Sequence, residues 1–103
     1  MSSLPLVLVT EKQGQKIAVE VKSFIGPSAV TELEKAVGQY AVYRSWLSRT
    51  QAERLLYLAV DENAFNDIFE DIAGRVLIED YAINMIVVDI TTEEVVKWII
   101  MSP

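Results

Sequence analysis

Residues 54–60 read Arg-Leu-Leu-Tyr-Leu-Ala-Val, a run with almost no polar break. So short and apolar a segment fits best as a central strand covered on both faces. Upstream, residues 28–47 carry Val30, Leu33, Val37, Tyr40 and Ala41 at helical spacing. Ser28 opens that helix after a Gly26-Pro27 break, and Thr31-x-x-Glu34 offers a capping box slightly later. Arg44 and Arg49 fall near its end, where cations complement the helix dipole. Downstream, Asp61 is a candidate N-cap. Phe65, Ile68, Phe69 and Ile72 mark the apolar stripe of a second helix that stops near Gly74. A third short helical or irregular piece fits residues 76–81.

Two hairpins bracket this middle. Residues 6–10 form a short apolar strand, 11–15 a polar turn containing Gly14, and 16–24 a second strand with β-branched residues. Residues 83–90 form another strongly apolar strand. Thr91-Thr92-Glu93-Glu94 turns the chain, and residues 95–100 return beside it. The order β-β-α-β-α-β-β predicts an α/β fold, a mixed sheet with helices packed on it. No internal repeat or linker divides the 103 residues, so one domain over 1–103 is expected. A domain this small buries a modest share of its surface. Its apolar first strand and long apolar last strand are edges of a kind rarely left bare, so at least a homodimer is expected.

Composition removes several chemistries. There is no cysteine, hence no disulfide or thiolate metal site, and no histidine, hence no imidazole base or ligand. Catalysis would have to use carboxylates, lysine, tyrosine or a hard, oxygen-bound metal. The opening Met1-Ser2-Ser3-Leu4-Pro5 carries no basic segment, and the apolar run after it is too short to span a bilayer. A cytoplasmic protein with no membrane association is the expectation. Net charge is −6 but unevenly spread: residues 1–60 hold seven bases against five acids, and residues 61–103 hold two bases against ten acids. That balance disfavours tight non-specific nucleic-acid binding, although the basic front half could face a phosphate backbone.

The stretch that carries chemistry is Val19-Glu20-Val21-Lys22. Strand alternation puts Glu20 and Lys22 on one face. A carboxylate beside an ammonium can hold a divalent cation such as Mg²⁺ and stabilise charge developing on a phosphate. Taken alone, Glu-x-Lys on a strand reads as a solvated face. The helix that follows carries Gln39 and Tyr43 four residues apart, on one side. Trp98 reads as core or interface, and Glu79-Asp80 and Glu93-Glu94 as solvated turns.

An ordered Glu-x-Lys strand followed by a Gln-x-x-x-Tyr helix resembles the PD-(D/E)XK nuclease superfamily. More closely, the blocks Lys16-Ile17-Ala18-Val19-Glu20-Val21-Lys22-Ser23-Phe24, Gly26-Pro27-Ser28-Ala29, and Ala36-Val37-Gly38-Gln39-Tyr40 with Tyr43 resemble the XisH family of cyanobacterial fdxN element excision controlling factors. That resemblance implies a restriction-endonuclease-like core, with Glu20 as metal ligand, Lys22 beside it, and Gln39 and Tyr43 in support. It also implies partnership with XisI-type proteins, with DNA, and with a separate recombinase. Family members are expected to carry an N-terminal helix and an aspartate-bearing strand before Glu-x-Lys. Residues 6–9 here contain no acid, and the only acid before Glu20 is Glu11, in the expected turn. The expectation is therefore a shortened member with little or no Mg²⁺-dependent cleavage of its own. An active Mg²⁺-dependent endonuclease and a pure protein-interaction module are the rival readings.

Overall fold

The computed structural model describes residues 6–25 and 27–101. Its five strands form one sheet in the order β1-β2-β3-β4-β5. β1 (Leu6–Lys12) and β2 (Gln15–Val21) are the expected hairpin, antiparallel from Leu6↔Val21 to Lys12↔Gln15. The turn is tighter than the five residues expected. Only Gln13 (φ 51°) and Gly14 (φ 84°) lie outside the ladder, both left-handed as a two-residue turn demands. Glu11 is therefore a strand residue paired with Lys16, not a turn residue.

The Ser28 Oγ accepts a hydrogen bond from the Thr31 N–H and caps α1 (Ala29–Thr50). Ser28, not the Thr31-x-x-Glu34 box, is the cap, and the helix continues three residues past the expected end at 47. Phe24 lies beyond the end of β2, where its side chain packs against the main core rather than within a strand.

β3 (Leu55–Asp61) is the central strand, parallel to β2 and to β4 (Met85–Asp89). β5 (Glu94–Ile99) returns antiparallel on β4. Between β3 and β4 the expected second helix is broken differently. α2 (Glu62–Ala64) passes into a π turn (Phe65–Phe69), and α3 (Ile72–Asp80) starts afresh. Gly74, expected to stop a helix, is instead buried inside α3. A Cβ there would lie 2.2 Å from the Ile68 carbonyl oxygen and 2.6 Å from Phe69 Cα, so only glycine lets α3 press on the π turn. Residues 76–80 belong to this same helix rather than to a separate piece, and Glu79-Asp80 is its last turn.

The two sheet faces are covered in different ways. Ala18, Leu56, Leu58, Val60, Met85 and Val87 face the helices and join Ala36, Tyr40, Phe65, Phe69 and Ile78 in the main core. On the other face Ile17, Val19, Tyr57, Ala59 and Ile86 form a second cluster, with no helix over it among the described residues. Trp98 provides part of the cover, its ring meeting Tyr57 edge-on at 5.4 Å. β3 is thus buried on both faces as its sequence requires, by helices on one side and by the sheet's own last strand on the other.

Candidate functional site

β2 alternates as expected: Ala18 and Glu20 point to the helix side, Ile17 and Val19 to the other. Glu20 is not on a solvated face. It is 0% exposed, and neither carboxyl oxygen has a hydrogen-bond partner among the described residues. A buried carboxyl without partners disfavours its charged form. Burial accordingly pushes Glu20 up from 4.5 to about 7, against the opposing pull of the Lys22 ammonium. The buried Tyr40 hydroxyl is pushed up too, chiefly by burial, and the Glu20 carboxylate adds to the effect. Tyr40 on α1 therefore sits within electrostatic reach of Glu20.

Lys22 forms no hydrogen bond or ion pair with Glu20. Its backbone N–H donates to the Ala59 carbonyl at 3.0 Å, which keeps the chain extended one residue past β2. Its ammonium donates instead to Glu32 on α1 at 2.8 Å, with both side chains largely buried (15% and 12% exposed). The Lys22 hydrogen bond leads the effects that hold Glu32 below the usual carboxylate range, and Lys35 approaches its other oxygen at 3.6 Å. The Glu20–Lys22 pairing read from strand alternation is thus a triangle, with Glu32 as the true partner of the lysine. Glu32 lies in the first turn of a helix, where an acid reads as a dipole complement, and its partner is ten residues away. Nothing in the sequence marks it as anything else.

Gln39 and Tyr43 are both half-buried on α1, as the expected helix places them. Tyr43 packs against the main core and meets Trp46 edge-on at 5.5 Å. The polar centre of this region is instead Tyr40. Its hydroxyl donates to the Leu56 carbonyl at 2.8 Å and accepts from the Asn84 N–H at 3.0 Å. The Asn84 side chain in turn donates to Leu56 O and accepts from the Met101 N–H. The asparagine interrupting the apolar run Ile83-Asn84-Met85 was a readable signal for a buried bridge.

A divalent ion needs more than one fixed ligand, and the donors around Glu20 are sparse. The register neighbours of Glu20 are Val7 on β1 and Leu58 on β3, neither able to ligate. Glu11 pairs with Lys16, four residues from Glu20 along β2, about 13 Å away at strand rise. No group of three or more acids that could hold a metal ion occurs among the described residues. Two clefts flank this end of the sheet. One, of about 380 Å³, is lined by Phe24, Glu32, Asp61 and Asp67, and the other, of about 300 Å³, by Lys22, Phe24, Asp61 and Val88. They put Lys22 and Glu32 at the carboxyl ends of the parallel strands, where open α/β sheets tend to place their ligands.

A mixed five-stranded sheet with helices on one face and a buried Glu-x-Lys strand defines a small α/β domain. The XisH protein family matches residues 4–96. Two crystal structures are similar over 90% of this chain and 73% of theirs, each at 38% identity. They are an XisH family protein from Nostoc punctiforme PCC 73102 (TM-score 0.86) and an fdxN element excision controlling factor protein from Anabaena variabilis (TM-score 0.85). This chain belongs to the XisH family. No curated protein matches it. No helix among the described residues is long and apolar enough to cross a membrane.

Proposed function

We propose that this chain is a non-catalytic accessory factor for the programmed excision of a DNA element, acting in the cytoplasm beside a separate recombinase. Membership of the XisH family and 38% identity to a protein named for control of fdxN element excision support the reading. The observation that carries the non-catalytic half is the setting of Glu20. A PD-(D/E)XK-like core would ask this carboxylate to hold Mg²⁺ with a second acid beside it. Glu20 lies between Val7 and Leu58, is fully buried, and is neutral over much of the pH range below 7. That donor set does not fit a magnesium ion, so no hydrolytic step is assigned to it. DNA, an XisI-type protein and further copies of this chain are the partners of such a factor.

One observation favours the rival endonuclease reading: both Glu20 oxygens are unpartnered among the described residues, as metal ligands would be in the absence of metal. The two readings separate in one assay. Purified chain and its Glu20→Gln and Lys22→Ala variants are incubated with plasmid and single-stranded DNA in Mg²⁺ or Mn²⁺. In parallel, an element-bearing plasmid is exposed to the recombinase with and without the chain. The accessory reading expects no cleavage and more excision. Cleavage by the native chain that both variants lose would move the protein to the nuclease class.

A further inference from the structure

A socket of about 180 Å³ opens between β5, the π turn and α3, on the helix side of the sheet. Its floor is apolar, with Phe65 and Phe69 stacked at 6.3 Å and Ile78 and Ile99 beside them. Phe65, Phe69 and Ile78 are each at most 6% exposed, so the floor is set by the core and is preformed. The volume suits one large side chain rather than a cofactor-sized ligand. The π turn itself is a departure from regular helix of a kind that recurs at binding sites.

Two further observations narrow the occupant. Residues 61–103 contain ten acids and only two bases, Arg75 and Lys97, and both bases line this socket. Neither forms an ion pair among the described residues, and the Lys97 ammonium rests 4.8 Å from the Phe65 ring. Glu70 and Glu79 also line the socket, so a ligand anion is drawn to the two cations and kept from the rest of the rim. The socket also borders β5, and no described strand pairs with the outer edge of β5. A chain laid along that edge would be a sixth strand, with alternate side chains on the socket's side of the sheet.

We propose that this socket captures the C-terminal end of a partner polypeptide. The last side chain, large and apolar, rests against Ile99 and Met101, above the buried Phe65–Phe69 stack. Its α-carboxylate lies beside Arg75 and Lys97, and the preceding residues hydrogen-bond along β5. Apolar floor, two cations without an ion pair among the described residues, and open strand edge are then parts of one recognition site. This inference is independent of the excision role.

The test is a titration of the full chain, followed by backbone amide NMR, with the N-acetylated peptide Gly-Thr-Val-Thr-Val-Phe bearing a free C-terminal carboxylate. Saturable binding with shifts clustered on residues 94–101 and 72–80 is expected. Amidation of the peptide's C-terminus, or serine in place of its phenylalanine, should each weaken binding by about tenfold or more. Arg75→Glu and Lys97→Glu should weaken the carboxylate peptide and leave the amidated one unchanged. Four results would each overturn the proposal. They are equal binding of the amidated peptide, equal binding of N-acetyl-phenylalanine alone, shifts centred on β1, and no saturable binding by any peptide at millimolar concentration. Concentration-dependent self-association that shifts the same amides without peptide would give the socket to a second copy, and so overturn it as well.

Discussion

The Lys12 ammonium lies 4.4 Å from the centre of the Trp98 ring, although β1 and β5 are the opposite edges of the sheet. Five flat strands would separate those edges by about 19 Å, more than the two side chains can span, so the sheet must curl over its helix-free face. Trp98 is the keystone of that face, with Tyr57 beneath it and Lys12 above. The Arg54 guanidinium braces the same end by donating to the carbonyls of Thr10 and Ile17.

Replacing Trp98, which is partly buried, with alanine should therefore uncover Tyr57 and cost about 2–3 kcal/mol of stability, below the range for a fully buried ring. Lys12→Ala removes only a partly solvated cation–π contact and should cost about 0.5–1 kcal/mol. Urea unfolding of the two variants measures the contrast. Equal effects would mean that the curl is held elsewhere.

Glu20 predicts an unusual pH profile. Its carboxyl is pushed up to about 7 in the folded chain, against 4.5 for a free side chain. Between those values the folded chain keeps a proton that the unfolded chain has lost. This contribution should thus be fully present below about pH 4.5, fall as pH rises from there through 7, and level off above it. The loss should approach about 3 kcal/mol as an upper bound. In Glu20→Gln this slope should vanish, which denaturant midpoints at pH 5 and pH 8 would establish.

The Lys22–Glu32 pair predicts the opposite trend at lower pH. Glu32 is held below the usual carboxylate range, chiefly by the Lys22 hydrogen bond, so its contribution is present above about pH 4.5 and lost as pH falls through its folded value. Glu32→Gln should remove that acid limb. It also frees the Lys22 ammonium to turn toward Glu20, which should move the Glu20 midpoint down from about 7. Carboxyl chemical shifts followed across a pH titration would report both changes.

Two glycines should respond in opposite directions to alanine. Gly74→Ala drives a methyl to 2.2 Å from the Ile68 carbonyl oxygen, so backbone must move, at about 2 kcal/mol or more. Gly38, inside α1, has open space where a Cβ would lie. Gly38→Ala should stabilise by about 0.5–1 kcal/mol. Thermal unfolding distinguishes the signs directly.

Much of the architecture was legible because local periodicity carries it. The apolar run at 54–60 became the central strand, shifted by one residue, and of the expected stripe on α1 Tyr40 is buried and Leu33 and Val37 pack on the main core, whereas Val30 is 66% exposed. The hairpins followed from alternation and turn residues. The break between α2 and α3 was misplaced for a physical reason. Glycine commonly ends helices, but Gly74 is there to let two backbones touch, and no local pattern distinguishes those uses.

By itself, then, the sequence determined the order of the strands, the long helix between β2 and β3, and the face that Glu20 shares with Ala18, since each depends on residues near one another in the chain. Only the tertiary structure decided that Glu20 is buried without a hydrogen-bond partner among the described residues, that Lys22 turns to Glu32, that Lys12 meets Trp98, and that Arg75 and Lys97 share a socket. Burial and charge pairing depend on what arrives from distant segments. An electrostatic energy varies with separation and solvent exposure, and neither quantity exists until the chain has folded.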